Sequence, residues 1–212
     1  MLPTIALLIA LVGYYVTWIN NAAAALSANA FDLAEWVGIA PSVRYVAPPN
    51  VPMLPPLLLR LALVILALLF ALHAARAQKI TPRVIFSLIA LALVVSLRPP
   101  IDFFRGNSTD PNYQQLAGLC ALGLVGLALL AAAAWRGLRL GWLTLPLTLI
   151  GILAALVGYL QSVEVIRTLQ IPAPLGAGLP LYCGGLTIHT LTIFIHAARG
   201  QAFINQEKHK LF

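Results

Sequence analysis

The chain has 212 residues, 61% of them hydrophobic and only 9% charged, with a mean hydropathy of +0.93. A soluble domain carries about 25% charged residues, so a chain this apolar cannot cover a water-facing surface. The composition reads as one polytopic membrane bundle without a soluble domain. The net charge of +7 sits in short segments beside apolar stretches, which assigns the basic residues to membrane orientation and excludes nucleic acid as a partner.

Six apolar spans follow in chain order, at residues 2–19, 57–75, 84–97, 116–135, 142–160 and 181–198. The expected fold is therefore all-α, a six-helix transmembrane bundle with a short interfacial amphipathic helix after the first span. The charges between the spans alternate. Asp32, Glu35 and Arg44 follow span 1, and Arg76, Lys79 and Arg83 follow span 2. After span 3, Arg98 and Arg105 cancel Asp102 and Asp110. Arg136 and Arg139 follow span 4, Glu164 cancels Arg167 after span 5, and Arg199, Lys208 and Lys210 outweigh Glu207 in the tail. The positive-inside rule then predicts a bacterial-type inner (plasma) membrane protein with both termini cytoplasmic. No Lys or Arg precedes span 1, so it reads as a retained helix despite the small-residue stretch Ala22–Ala30.

The first outer segment covers residues 20–56. Phe31, Asp32, Glu35 and Trp36 give it the pattern of a short interfacial helix with Trp36 at headgroup depth. Pro48, Pro49, Pro52, Pro55 and Pro56 predict an extended strap after it. In the second outer segment Pro99 and Pro100 stop span 3, Phe103, Phe104 and Tyr113 read as interfacial aromatics, and Asn107 begins a formal glycosylation sequon.

Polar groups inside spans carry the functional hints. Tyr182, Gly185, His189, Thr192 and His196 recur at spacings of 3 and 4 and form one polar stripe on span 6. Leu186 and Ile193 are assigned to the opposite, lipid-facing side. His73 and His196 each lie three residues before an arginine at the basic end of a span. That predicts equal depth on two helices, as the axial ligands of a haem b require. His189 is expected deeper, without a histidine at its level, near a quinone or second ligand. Arg60 is the charge nearest a span interior. It is expected to snorkel outward or pair with Glu164 or an outer aspartate, and is a candidate anion or lipid contact. Pro146 is expected to kink span 5, with Thr144 or Thr148 satisfying freed backbone groups.

Ala67, Ala71 and Ala75, then Ala117 and Ala121, then Gly151, Ala155 and Gly158 form small-residue stripes that allow close helix packing. Cys120 and Cys183 fall in apolar stretches and read as small buried hydrophobes. The spans hold no Asp or Glu, which disfavours a proton-coupled carrier. No nucleotide, hydrolase or metalloprotease motif is present, no metal site is expected, and an enzyme is not indicated. No internal repeat aligns. In size and span count the chain is similar to the substrate-binding components of energy-coupling-factor vitamin transporters, and Ala6-xxx-Ala10 resembles their small-residue docking face. The long Pro-rich segment departs from that pattern. Three functions are carried forward. The first is a non-catalytic integral subunit of a larger membrane complex, with the bilayer and other membrane subunits as partners. The second is the membrane component of a small-molecule transporter. The third is a haem b or quinone-binding electron-transfer subunit.

Overall fold

The computed structural model describes residues 2–21, 26–40, 53–106, 109–138 and 140–210, without the side chains of residues 197 and 199–210. Arg44, Pro48, Pro49, Pro52, Asn107 and Arg139 lie outside the described residues. The elements are α1 (Leu2–Tyr15), β1 (Ile19–Asn21), β2 (Leu26–Ala28), α2 (Ala30–Ile39), α3 (Leu54–Arg76), α4 (Ile80–Val95), α5 (Ile101–Phe104), α6 (Pro111–Trp135), α7 (Thr144–Thr168) and α8 (Gly178–Lys210). The 3₁₀ turn Gly141–Leu143 leads into α7.

The chain is mostly helical. Among the described residues, four stretches are long and apolar enough to cross a membrane: α3, α6, Gly141–Thr168 and Gly178–His196. The apolar helices α1 and α4 are shorter, with 14 and 16 residues. At 1.5 Å per residue they reach about 21 and 24 Å, less than the roughly 30 Å hydrocarbon core.

Helix boundaries follow local chemistry. Pro55 and Pro56 occupy the first turn of α3, where a missing N–H breaks no intrahelical bond. They belong to the helix and not to an extended strap. Pro146 likewise falls in the first turn of α7, so it starts that helix instead of bending its middle. Asp110 caps α6 by accepting from the Asn112 N–H at 2.9 Å, and Gly137, at φ 71°, follows its last turn.

α3 lies at the centre and packs against α2, α4, α6 and α7, while α1 packs along α8. The α1–α8 crossing depends on absent side chains. A Cβ on Gly185 would stand 2.5 Å from Ala10 N and 2.7 Å from Ala6 O, and one on Gly13 would collide with the Tyr182 N–H. Ala6 and Ala10 are thus spent inside the chain, against α8, and do not form an external docking face. Leu186 is fully buried, contrary to its lipid-facing assignment, because its side chain packs over Gly151 of α7, where Ile65 of α3 also reaches. Gly151 and Gly158 admit α3 side chains Ile65, Leu58 and Leu59 against α7, as their stripe predicts.

One end of the bundle carries a feature the sequence reading left as loop. β1 and β2 pair antiparallel, with Ile19 opposite Ala28 and Asn21 opposite Leu26. The segment before α8 joins them: Asn20 N–H donates to Pro174 O, Gly176 N–H to Trp18 O and Asn21 Nδ2 to Pro172 O. Beneath this hairpin, Tyr14, Trp18, Tyr159 and Tyr182 cluster with ring centroids 6.0–6.3 Å apart. Three of the polar tips are satisfied by backbone: Trp18 Nε1 donates to Gly13 O, Tyr14 OH to Leu59 O and Tyr182 OH to Ala62 O. The other end carries the basic turns, with Arg76 Nη2 donating to Gly141 O and Thr144 Oγ1.

Candidate functional site: a buried arginine and a histidine pair

α2 positions the first constellation. The Asn29 side chain caps α2 by accepting from the Phe31 and Asp32 N–H groups at 2.8 and 3.0 Å. Ala30, Leu33, Ala34 and Val37 are then buried, and α2 packs onto α3. Phe31 and Trp36 are half-buried, and Asp32 accepts from Asn29 Nδ2 at 2.7 Å. This register aims Glu35 inward.

Arg60 on α3 is completely inaccessible. Its Nη2 donates to Glu35 Oε1 at 2.6 Å and to Asn112 Oδ1 at 2.7 Å, and its Nη1 to Gln115 Oε1 at 2.8 Å. Asn112 Nδ2 reaches back to Glu35 Oε2 at 3.3 Å, and Gln115 Nε2 donates to Met53 O at 2.9 Å. The expectations of snorkelling, of a Glu164 partner and of contact with lipid are corrected. Three acceptors from α2 and α6 meet the guanidinium inside the protein, so the charge has no need to reach the surface. Glu164 instead faces Arg167 on its own helix at 3.9 Å. Among the described residues, Arg60 Nε has no hydrogen-bond partner.

Glu35, 40% exposed, also borders a cavity of 620 Å³ whose wall includes Phe31, Ser96, Arg98, Phe104 and Tyr113. The carboxylate there is already committed to Arg60. The arrangement can clamp α2, α3 and α6 together and present an aromatic, polar-edged recess.

The second constellation lies toward the basic end. His189 and His73 approach with ring centroids 5.6 Å apart, so the expected depth match of His73 with His196 gives way to one with His189. α8 continues as helix to Lys210, about 20 Å beyond His196, so counting back from its arginine misjudges depth. His189 Nδ1 is 2.8 Å from Pro3 O, which fixes the proton on that nitrogen, and His73 Nε2 is 2.9 Å from Thr4 Oγ1. The two rings therefore moor the first turn of α1. His196 is exposed and bonds through Nδ1 to Thr192 O of its own helix at 2.6 Å.

Of the predicted span 6 stripe, Tyr182, Gly185, His189 and Thr192 are buried. Thr192 Oγ1 bonds to the Ile188 and His189 carbonyls. Thr148 and Thr190 share a 2.6 Å hydrogen bond between α7 and α8, a polar contact the sequence reading did not assign. Replacing Thr148 with valine is expected to cost about 1 kcal/mol, measurable as a lower unfolding midpoint in mixed micelles. Cys120 and Cys183 are both free and half-buried. No group of three or more His, Cys, Asp or Glu side chains converges among the described residues. Compared with family models, curated proteins and solved structures, the chain matches none.

Proposed function

We propose that this chain is a non-catalytic integral subunit of a larger membrane protein complex, with all six apolar helices crossing the bilayer and both termini cytoplasmic. The observation that carries this reading is the uneven burial of the long helices. In α3, 67% of the membrane-spanning window is buried, against 17% in α6. The exposed side of α6 bears Gly118, Ala121, Val125, Ala128 and Ala132 at spacings of 3 and 4, and nothing lies within 4 Å of the position of a Gly118 Cβ. Small residues on an open face let another helix approach closely, and in lipid such packing supplies the association energy. The basic turns at the end opposite the hairpin support the orientation. The Arg60 clamp supports a scaffolding role, because it consumes its polar groups in holding helices together.

A photo-crosslinker placed at Ala121 tests the reading in native membranes. The expected product joins this chain to a different membrane protein, while the same probe at Leu153, on the exposed side of α7, gives none. A product of twice the chain mass, or equal labelling from both positions, overturns it.

A further inference from the structure

The basic end holds two clefts that the Arg60 clamp does not use and that meet the docking face at Ala128. The larger, 620 Å³, opens between α3, α4 and α6, lined by Ala71, Ala75, Ala90, Leu127 and Ala131, with Arg83 and Trp135 at its edge. The smaller, 320 Å³, is lined by Leu72, Arg76, Leu138 and Gly141. Ala75 and Ala134 border both clefts, so two small side chains form the partition between them. The sequence explains the space: alanines recur on the facing surfaces of α3 and α6 at this end, and larger side chains do not fill the gap.

A cleft lined by small apolar side chains forfeits dispersion contacts unless something apolar enters. The charges select what enters. Arg76, Lys79, Arg83 and Arg136 gather here, whereas the acids with described side chains, Asp32, Glu35, Asp102, Asp110 and Glu164, all belong to segments at the hairpin end. Arg83 Nη2 donates to Ala77 O at 2.9 Å and Arg76 Nη2 to the α7 entrance, and each guanidinium offers five N–H donors in all. Basic pockets between membrane helices are suited to anionic headgroups.

We propose that the paired clefts bind one diacyl anionic phospholipid, an acyl chain on each side of the Ala75–Ala134 partition and the phosphate between Arg76 and Arg83. Ala128 borders both the larger cleft and the small-residue face of α6, so the purified chain, free of any partner, is used to test the lipid site by itself. Delipidated protein is titrated with dioleoylphosphatidylglycerol or dioleoylphosphatidylcholine, and bound lipid is counted by native mass spectrometry. The expected result is one retained phosphatidylglycerol, at least about tenfold preferred over phosphatidylcholine, matching loss of about one charge contact. Arg83→Gln should abolish the preference, and Ala131→Phe, which fills the cleft, should weaken both lipids. Arg98→Gln removes the same charge at the hairpin end and should change neither. Equal binding of the two lipids overturns the proposal. So does an Arg98→Gln variant that loses preference as much as Arg83→Gln, because the effect would then be diffuse charge. Retention of wild-type binding by both Arg83→Gln and Ala131→Phe overturns it as well.

Discussion

Glu35→Ala is expected to destabilise the protein by about 3 kcal/mol, at the lower end of the 3–5 kcal/mol typical of breaking a buried ion pair. The cost arises at Arg60, not at Glu35. The carboxylate is 40% exposed and part of its charge is already solvated, whereas the guanidinium is wholly enclosed. Without Glu35 it keeps Asn112 and Gln115 as neutral acceptors but loses its counter-charge. Those two amides place the effect near the lower bound. Glu35→Gln should cost less, because it retains an acceptor for Nη2, and the double variant Glu35→Gln with Arg60→Met should recover most of the loss, since no buried charge is left behind. The measurement is an unfolding curve in mixed micelles for the three variants. Hydrogen exchange provides a local readout: Glu35→Ala should release α2 before the rest of the bundle opens. A Glu35→Ala cost under about 1 kcal/mol would show that the pair contributes no more than an exposed one.

The second large effect lies at the α1–α8 crossing. Gly185→Leu is expected to cost about 3 kcal/mol or more, at the upper end of the range for overpacking. The obstruction is backbone: Ala10 N and Ala6 O stand 2.5 and 2.7 Å from the new Cβ, and neither can rotate away as a side chain would. The helices must separate, which also pulls Thr4 and Pro3 from His73 and His189. Gly184→Leu is the matched control, because nothing lies within 4 Å of its Cβ position, and it should be nearly neutral. The comparison is made on thermal midpoints of the two variants in the same detergent. Equal midpoints would mean that α1 is not held by close backbone approach.

These two sites mark where sequence was informative and where it was not. Arg60 stood out in the sequence, since one arginine in a run of leucines needs an explanation. Its partner was not, because Glu35 lies on a segment whose Phe31–Trp36 pattern suits an interface as well as a bundle. Asn112 and Gln115 did leave a signal. Two amides three residues apart share a helix face, but starting span 4 at residue 116 placed them in a loop. On α8 the 3.6 period groups Tyr182, Gly185, His189 and Thr192, all four of which are buried, but it did not anticipate that Leu186 beside them is buried too. Histidine depth failed for a different reason: charge landmarks at span ends measure depth only when helices stop at the membrane surface, and α8 does not stop at Arg199. The hairpin of β1 and β2 was invisible because three-residue strands carry too little alternation, and their third neighbour, Pro172–Gly176, comes about 150 residues later in the chain.

Arg60 locks an outer helix onto the bundle, α1 and α8 consume each other's small residues, and α6 retains an open small-residue face. The account that unites these features is a scaffold awaiting a partner along α6. The most direct measurement is the particle mass of the chain extracted from its native membrane in a lipid-retaining polymer, for wild type and for Ala121→Trp. A subunit docked through α6 predicts a wild-type particle well above the 22.7 kDa chain and containing other membrane proteins, with Ala121→Trp shifted to the free chain. A wild-type particle holding one copy of this chain and no other protein would contradict the account.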